Sequence, residues 1–394
     1  MHRLRNGVKN YDWGSPNAIP AFLGGDTSTT PIAEVWIGTH PLSPSAAVNE
    51  DGTELPLTEI AGDLPFMVKL LAADRPLSLQ VHPSRALAEA GFEREEAEGV
   101  PLDAPHRVYK DRNHKPEMVY ALSTFDSLIG FRKTAEILRV LGPIGSQLSE
   151  RLVADLRADP GFAGIVRRVE YLLSGEVDVD QVHELIDACR RLSAMGMDVK
   201  RAYATVDEIA EHYPDDVGVV ISLMLNRMTL QPGEAAYLET GVMHAHLSGL
   251  CLEVMANSDN VLRAGLTTKH IDRAGLVACL DDGMARIARV TPDFVVDTEI
   301  FSPAHVEFAL AVSQISPAAP DGVDLVRADG SLLICTGGEV IVSTDAGDKL
   351  TLSRGESLYL SAEDRGAVVE GLGEVAHAYL PPSRALHSRL VDVV

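Results

Sequence analysis

A repeat within the chain constrains its fold more than any other feature of the sequence. Residues 228–239 read Met-Thr-Leu-Gln-Pro-Gly-Glu-Ala-Ala-Tyr-Leu-Glu, and residues 350–361 read Leu-Thr-Leu-Ser-Arg-Gly-Glu-Ser-Leu-Tyr-Leu-Ser. In each copy a candidate strand ends in a Gly turn and a second candidate strand follows, which is typical of the hairpins of a jelly roll. The sequence therefore predicts two copies of one β unit.

Hydrophobic periodicity indicates where helices interrupt these β units. Residues 31–132 contain short apolar runs broken by Pro and Gly, such as 66–71 and 77–82, and such runs are typical of strands. Between Thr134 and Tyr213 the apolar residues instead recur at helical spacing. We therefore expect a block of helices between two regions of strands.

The second half of the chain returns to strand patterns. These begin at Val217, with one further helix expected near residues 271–280. Only the first copy of the repeat is followed by a histidine, His244, so we expect chemistry in the first β unit and a packing role for the second. The predicted fold is mainly β with an α-helical insertion: a discontinuous catalytic jelly-roll (cupin-like) domain of residues 1–133 and 217–300, a helical domain of 134–216, and a C-terminal jelly-roll domain of 301–394.

Charge and composition limit the possible partners. With 57 acidic against 34 basic residues the formal charge is −23, which disfavours nucleic acid and anionic membranes. An anionic substrate would need a local cluster of Lys and Arg. No window approaches the roughly 18–20 apolar residues of a membrane helix, and the N-terminus lacks the apolar segment of a secretory signal, so we expect a cytoplasmic protein. The four cysteines are widely spaced and are expected to be buried thiols.

Four polar residues on or near predicted strands are candidate metal ligands. Gln80 and His82 stand two residues apart, so their side chains share one face of a strand. His244 follows the Gly turn of the first repeat copy, and Glu117 would add a carboxylate. Two imidazoles, a carboxylate and an amide oxygen suit zinc in a catalytic rather than a structural site. The alternative is that these histidines are ordinary hydrogen-bonded polar groups.

A polar loop and a carboxylate in an apolar strand are further candidates. The loop around Arg263 and Lys269 suits the hydroxyls and phosphate of a sugar phosphate, although a solvated loop would have the same composition. Glu253 lies between apolar neighbours and is a candidate general base whose pKa burial would raise toward neutrality. Its alternative role is a buried salt bridge. Lys69 and Lys115 stand on apolar or rigid segments and could be side chains at the core edge whose ammonium groups reach water.

Five short segments resemble signatures of one enzyme family, in the order in which that family carries them. They are Tyr-Asp-Trp-Gly at 11–14, Ala-Glu-Val-Trp-Ile-Gly-Thr-His-Pro at 33–41, Leu-Ser-Leu-Gln-Val-His-Pro at 77–83, Asn-His-Lys-Pro-Glu-Met at 113–118 and Ser-Asp-Asn-Val-Leu-Arg-Ala-Gly at 258–265. On these segments the chain resembles the type I phosphomannose isomerases, which depend on zinc. The resemblance spreads over more than half of the chain.

The resemblance implies an enzyme that interconverts mannose 6-phosphate and fructose 6-phosphate through a cis-enediolate. It also implies a catalytic role for Arg263 and one Zn²⁺ per chain, held by Gln80, His82, Glu117 and His244. As hypotheses we add proton transfer at carbon by Glu253, orientation of hydroxyls or phosphate by Lys115 and Lys269, and substrate contacts by Trp13, Ser78 and Asp259. The expected partner is a small hexose phosphate, and the chain is expected to be a monomer.

Two positions depart from the family's pattern. The family commonly has Pro-His-Ala-Tyr around its last metal ligand, whereas residues 243–246 read Met-His-Ala-His. Because His246 lies on the same strand face as His244, we give it the Tyr's substrate-side role and leave its contact with the metal open. Thr268 stands where the family usually has Pro, which affects the placement of Lys269.

Two other functions are compatible with the sequence. Jelly-roll barrels also hold iron with two His and one carboxylate, so a metal-dependent oxygenase is one alternative. The Gln ligand and the cationic loop favour the isomerase over it. The second alternative is a protein that binds a sugar phosphate without turning it over.

Overall fold

The computed structural model describes residues 1–49, 51–281, 288–304, 306–319, 321–381 and 390–392. Within these residues the chain is mainly β, with two large sheets and a concentration of helices between residues 134 and 222. The prediction of a mainly β fold with an α-helical insertion is confirmed. The closed jelly-roll form of each β unit stays a prediction.

The strands and helices alternate in blocks along the chain. The strands are β1 (His2–Arg5), β2 (Gly7–Lys9), β3 (Glu34–Ile37), β4 (Ala46–Val48), β5 (Glu54–Pro56), β6 (Phe66–Ala73), β7 (Leu79–Val81), β8 (Glu117–Ala121), β9 (Phe125–Phe131), β10 (Leu225–Leu230), β11 (Ala235–Leu238), β12 (His244–Ala256), β13 (Leu262–Gly265), β14 (Ala288–Val290), β15 (Asp293–Val295), β16 (Thr298–Phe301), β17 (Ala309–Ile315), β18 (Val323–Asp324), β19 (Ser331–Ser343), β20 (Lys349–Ser353), β21 (Ser357–Leu360), β22 (Val368–Tyr379) and β23 (Leu390–Asp392). The helices are α1 (Ala18–Phe22), α2 (Leu57–Ala61), α3 (Arg85–Ala97), α4 (Thr134–Leu141), α5 (Gln147–Ala158), α6 (Phe162–Leu172), α7 (Val179–Ala194), α8 (Ala202–Ala210), α9 (Gly218–Ser222) and α10 (Arg273–Cys279). The helix expected near residues 271–280 is α10, and the strands expected at 66–71 and 77–82 are β6 and β7.

The two sheets have the same strand order. The first runs β2-β3-β6-β12-β8-β11-β14-β23, and the second runs β15-β16-β17-β22-β19-β21-β1-β4-β5. Thus β12 lies between β6 and β8, as β22 lies between β17 and β19. Beside these paths, β7 pairs with β12 as β18 pairs with β22, and β10 pairs with β9 as β20 pairs with β19. The repeat extends well beyond its two short sequence segments, and the prediction of two copies of one β unit is confirmed.

The repeated segments are turns but not hairpins, so this part of the prediction was wrong. Gly233 and Gly355 take the same left-handed conformation, with φ of 90° and 92°, which favours glycine. The following Glu closes both turns by accepting a backbone hydrogen bond: from Gln231 N to Glu234 (2.7 Å) and from Ser353 N to Glu356 (2.8 Å). The joined strands then part, because β10 pairs with β9 while β11 pairs with β8 and β14. In the first copy, the turn therefore connects two strands, β10 and β11, that pair with different neighbours and not with each other.

The two sheets exchange strands near the chain ends. β1, near the N-terminus, lies between β21 and β4 in the second sheet, whereas β23, near the C-terminus, pairs with β14 in the first. Apolar side chains from both sheets meet in one buried cluster that includes Leu4, Phe66, Leu252, Phe301 and Leu332. Strand pairing crosses the predicted domain limits, and the division into three domains stays a prediction.

The helical block covers one face of the strands that carry the candidate ligands. Leu79, Val81 and Ala245 belong to the same buried cluster as the apolar faces of α4 to α8. Because side chains alternate across a strand, Gln80 and His244 are directed to the opposite face. Strands resume at Leu225 rather than at Val217, since the apolar run after Val217 forms the short, fully buried helix α9.

The described residues contain no helix long and apolar enough to cross a membrane. All four cysteines are buried and free, as the sequence predicted. Burial raises the pKa of the Cys189 and Cys279 thiols to about 12, so both are protonated at neutral pH.

A buried histidine in the second sheet gives the fold an acid-sensitive point. Neither ring nitrogen of His377 has a hydrogen-bond partner among the described residues, and burial lowers its pKa from 6.5 to about 4. Between pH 6.5 and 4 the unfolded chain therefore binds a proton at this position that the folded chain does not, which favours unfolding as the pH falls. The shift corresponds to about 3 kcal/mol of unfolding free energy.

We expect His377→Leu to remove this part of the pH dependence. Urea unfolding at pH 7 and pH 4.5 would measure the free energy of unfolding of both proteins. The loss between the two pH values should be smaller in the variant, because leucine has no proton to bind. An equal loss in both proteins would contradict the assignment.

Candidate metal and substrate site

Three adjacent strands build the centre of the site. In the antiparallel register His244 of β12 lies opposite Gln80 of β7, and Arg263 of β13 lies opposite the same Gln80 from the other side. Residues directly opposite each other on antiparallel strands direct their side chains to the same face. The register therefore brings an amide, an imidazole and a guanidinium together from distant parts of the chain.

The four predicted metal ligands converge on one point. His82 Nε2 lies 3.3 Å from Glu117 Oε1, and His244 Nε2 lies 3.4 Å from Glu117 Oε2. The amide nitrogen of Gln80 lies 3.3 Å from His244 Nε2, and the carbonyl oxygen of that amide would be the donor to a cation. His82, Glu117 and His244 are buried and form a group spaced to hold a metal ion.

Backbone carbonyls orient both imidazoles. His82 Nδ1 donates to Asn260 O over 2.8 Å, and His244 Nδ1 donates to Val242 O over 3.0 Å. A carbonyl only accepts, so each Nδ1 carries a proton and each Nε2 is the ring atom left to bind a cation. Burial and the charge of nearby Lys115 lower the pKa of His82 to about 4, which leaves its imidazole neutral at neutral pH. Neutral Nε2 atoms are the form that binds metal.

The charges at this point also fit a divalent cation. Glu117 Oε2 is buried and has no hydrogen-bond partner among the described residues. Three carboxylates, of Glu34, Glu117 and Glu253, are buried here beside only two ammonium groups, of Lys69 and Lys115. A buried charge without compensation is costly. A cation bound to Glu117 would satisfy its free oxygen and leave the group with a positive excess, which favours an anionic ligand.

Lys115 lies beside the ligands rather than at the edge of the core. Its Nζ lies 2.8 Å from Glu117 Oε1 and 3.5 Å from His82 Nε2, and the residue is buried. The expectation that this ammonium group reaches water was wrong. The adjoining carboxylate compensates its charge and lets it remain inside.

His246 contacts Glu253 on the same face as His244. Its Nε2 lies 3.3 Å from Glu253 Oε1, while its Nδ1 lies 3.0 Å from Ser127 Oγ. Glu117, His246 and Glu253 also form a second buried group spaced for a metal. Contact between His246 and the metal therefore stays open, as the sequence left it.

The expected raised pKa of Glu253 was wrong. Burial and the charge of Glu117 do raise this pKa, but Lys69 and the hydrogen bond from His246 outweigh them and lower it to about 2. Lys69 Nζ lies 3.3 Å from Glu253 Oε2. The carboxylate is therefore ionised throughout the neutral range, and the salt bridge proposed as an alternative to the base is present.

Lys69 was the main residue whose place sequence reasoning missed. It was expected to reach water, yet its Nζ lies between Glu34 (3.5 Å) and Glu253 (3.3 Å). Glu34 also accepts a hydrogen bond from Trp36 Nε1 over 2.7 Å. The available signal was the strand itself, because all eight residues of β6 are buried and a lysine inside such a run needs a carboxylate partner.

The polar loop supplies the cluster of cations that the sequence required. The Arg263 side chain makes no ion pair or hydrogen bond to the described residues, and burial lowers its pKa. Burial and the nearby Arg263 lower the pKa of Lys269, although Lys269 is exposed. Arg263 and Lys269 thus lie close enough for their charges to interact, and neither forms an ion pair with a described residue.

The start of the loop is a buried hydrogen-bond network rather than solvated chain. Ser258 Oγ donates to Asp111 Oδ1 over 2.9 Å, and Asn260 Nδ2 donates to Asp111 O over 2.9 Å. Asp259 N donates to Asp111 Oδ2 (2.9 Å), and its carboxylate lies 3.4 Å from His40 Nε2. These bonds fix Asn260, whose carbonyl orients His82.

The two remaining candidates lie around the ligand set. Trp13 stacks on Tyr11 with ring centroids 5.7 Å apart and packs against the buried cluster that contains Leu71. Ser78 is half-buried and lies two residues before Gln80. Among the described residues, neither makes a hydrogen bond or a ring contact with the four ligand side chains.

The chain is similar to known proteins over nearly its whole length. The family model described as phosphomannose isomerase type I, catalytic domain, matches residues 1–134. The mannose-6-phosphate isomerase of Salmonella typhimurium is 33% identical over 400 residues, covering 96% of this chain and 99% of that protein. The human mannose-6-phosphate isomerase is 31% identical, covering 91% of this chain and 92% of that protein.

Solved structures agree with this similarity. A crystal structure of the Salmonella typhimurium enzyme bound to its substrate, fructose 6-phosphate, and to zinc has a TM-score of 0.86 at 33% identity, covering 97% of this chain and 100% of that one. A zinc-bound form of a mannose 6-phosphate isomerase also has a TM-score of 0.86, at 33% identity.

The fold and the site define a mainly β protein with a buried nitrogen and oxygen centre suited to a divalent cation. The Salmonella typhimurium and human relatives exceed 30% identity over nearly their whole length. The chain belongs to the type I mannose-6-phosphate isomerase family. The resemblance seen in the sequence is confirmed, and the oxygenase alternative is not favoured.

Proposed function

We propose that this chain is a zinc-dependent isomerase that interconverts mannose 6-phosphate and fructose 6-phosphate. The observation that carries the proposal is the convergence of His82 and His244 on the Glu117 carboxylate, whose Oε2 accepts no hydrogen bond from the described residues. Gln80 lies beside His244, and Arg263 lies opposite Gln80. These residues are the family's signature positions, and relatives bind zinc and fructose 6-phosphate. One zinc per chain, held by these four ligands, accounts for the charges around them.

In the proposed isomerisation, different residues would bind zinc, transfer the proton, stabilise negative charge and orient the substrate. Zinc would supply Lewis acidity at the sugar oxygens that become negative in the cis-enediolate. Glu253 is ionised, so it can take a proton from one carbon and return it to the neighbouring carbon, while Lys69 and His246 hold its carboxylate in place. Arg263 stabilises the developing negative charge or assists ring opening. Lys115 and Lys269 orient hydroxyls or phosphate, beside Trp13, Ser78 and Asp259.

The finer points of organisation belong to the same proposal. Each sheet would close into a jelly-roll barrel, with the helical domain inserted in the first. The enzyme would act as a monomer in the cytoplasm on a small hexose phosphate. The absence of a membrane-crossing helix in the described residues and the acidic composition support this location.

One assay tests the proposal directly. The purified protein should contain about one zinc per chain and convert fructose 6-phosphate to mannose 6-phosphate without oxygen. Chelation should remove both the metal and the activity, and added zinc should restore them. Oxygen consumption with bound iron would instead support the oxygenase, and binding of hexose phosphate without turnover would support the non-catalytic protein.

Replacing Arg263 tests its part in the reaction. We expect Arg263→Ala to lower kcat/KM by about 10²–10³-fold, because a preorganised charge at the reacting oxygens is lost. Zinc content should not change, because Arg263 is not one of the four proposed ligands and its side chain makes no hydrogen bond to a described residue. Arg151→Ala, in the helical block, is the control and should retain activity. Unchanged kcat/KM in the Arg263 variant would exclude this role.

A further inference from the structure

The matching strand orders allow each metal-ligand position to be located in the second sheet. Glu117 lies opposite Leu238 and Met255, and Ser331 takes the same place opposite Leu360 and Tyr379. Ser331 is therefore the counterpart of Glu117. Val119 and Leu333 follow Glu117 and Ser331, respectively, by two positions. Glu253 lies opposite Val119 and His377 lies opposite Leu333, so His377 is the counterpart of Glu253.

The other three positions follow from the pairing of β18 with β22. Leu325 N donates to Ala367 O over 2.9 Å, which continues the register of β18 and β22 by one residue. We match this pair to Gln80 and His244, which lie opposite each other on β7 and β12. Leu325 packs in the apolar cluster inside the second sheet, so it faces inward as Gln80 does. Arg327 follows Leu325 at the spacing that separates His82 from Gln80. The counterparts of the four ligands are thus Leu325, Arg327, Ser331 and Ala367.

All four counterparts line one cavity of ≈ 240 Å³. None offers the nitrogen or carboxylate donors that hold a transition metal. What the cavity offers is positive charge, from Arg327 and from Arg365 on the loop before β22. Neither guanidinium group has an ion-pair or hydrogen-bond partner among the described residues.

Two further features of the cavity suit an anion. Ser331 is only 2% exposed, and its hydroxyl makes no hydrogen bond to a described residue. The carboxylate of Asp364 in the cavity wall is already paired with the N-terminal ammonium group over 2.6 Å and accepts from Ser361. The remaining lining carboxylate, of Asp324, is exposed to solvent, as Arg327 and Arg365 also are. Two unpaired guanidinium groups and the free hydroxyl of Ser331 thus face two carboxylates, of which Asp364 is already paired.

We propose that the second sheet binds a small phosphate-bearing anion in this cavity, through Arg327, Arg365 and Ser331. Arginine is suited to phosphate because its planar fork donates two parallel hydrogen bonds. The volume is below the roughly 300–1,000 Å³ of pockets for drug-sized ligands, so the ligand is inorganic phosphate or a small phosphate ester. The second sheet then has a binding role rather than only the packing role expected from its lack of a histidine.

Counting bound phosphate in the zinc-loaded full chain tests this proposal. Equilibrium dialysis at constant ionic strength would use inorganic phosphate in one arm and glucose 6-phosphate in the other, to tell the free ion from an ester. The wild-type protein should bind one equivalent more than Arg327→Gln/Arg365→Gln in at least one arm. Each single arginine variant should weaken this binding by at least about tenfold.

The control removes two positive charges elsewhere. Lys133→Gln/Lys349→Gln changes two exposed lysines outside the cavity and should bind phosphate like the wild type. All variants should keep the wild-type unfolding temperature and isomerase kcat/KM, so that a failure here is separate from a failure of the proposed function. Equal binding by the wild type and the double arginine variant in both arms would overturn the proposal.

Discussion

His244→Ala should release the metal and abolish catalysis. His244 supplies one of the two Nε2 donors, and its loss removes the imidazole that lies beside the buried Oε2 of Glu117. We expect zinc to fall well below one per chain and activity to fall by on the order of 10³-fold or more, since several kcal/mol of Lewis-acid stabilisation disappear. Metal analysis after gel filtration and the rate of fructose 6-phosphate conversion would measure the two effects.

His377→Ala is the matched control for this variant. It removes an equally buried imidazole from the corresponding half of the molecule, so any loss of packing is similar. His377 lies outside the ligand set, and this variant should keep its zinc and its activity at a temperature where it remains folded. If the two variants lost metal to the same extent, the effect of His244→Ala would reflect packing and not coordination.

The ligand set was accessible from the sequence because its parts are local patterns. The spacing of Gln80 and His82 places both on one strand face, and the Gly turn marks where His244 begins a strand. Their meeting point is not local, since it depends on the pairing of β7 with both β12 and β13. Only the family resemblance joined these segments before the structure did.

The environment of Glu253 could not be predicted in the same way. Its register partner Lys69 lies far away in the sequence, and Lys69 in turn lies opposite Trp36. The apolar run around Glu253 therefore suggested a raised pKa for its carboxyl group. The three paired strands instead place Lys69 beside it, and the carboxyl group is ionised. Long-range register decided the sign of the pKa shift.

The sequence repeat correctly predicted two copies of one β unit, but it did not predict which strands pair. Its Gly-Glu turn is the same in both copies, but the strands on either side belong to different pairings, so the hairpin interpretation failed. The prediction of strand at the position of α9 was wrong for a related reason. An apolar run that is buried on every side has no periodicity that distinguishes a helix from a strand.

Glu253→Gln should separate chemistry from metal binding. The amide keeps the size of the side chain and cannot accept the carbon-bound proton, so kcat should fall by about 10²–10⁴-fold. Zinc should stay at about one per chain, because Glu253 is not among the four ligands. The acid limb of the wild-type pH–rate profile should not arise from Glu253, whose pKa of about 2 keeps the carboxylate ionised as the pH falls through the neutral and mildly acidic range.

A second buried carboxylate controls for the loss of charge. Glu95 accepts backbone hydrogen bonds from Val108 and Tyr109 and pairs with Arg107, away from the ligand set. Glu95→Gln should therefore lower the unfolding temperature without lowering kcat at temperatures where the protein is folded. Glu253→Gln should instead lose turnover while the fructose 6-phosphate KM changes little, since orientation of the phosphate is assigned to cations. Near-normal turnover with zinc bound would remove Glu253 from the proton transfer and leave it a structural partner of Lys69.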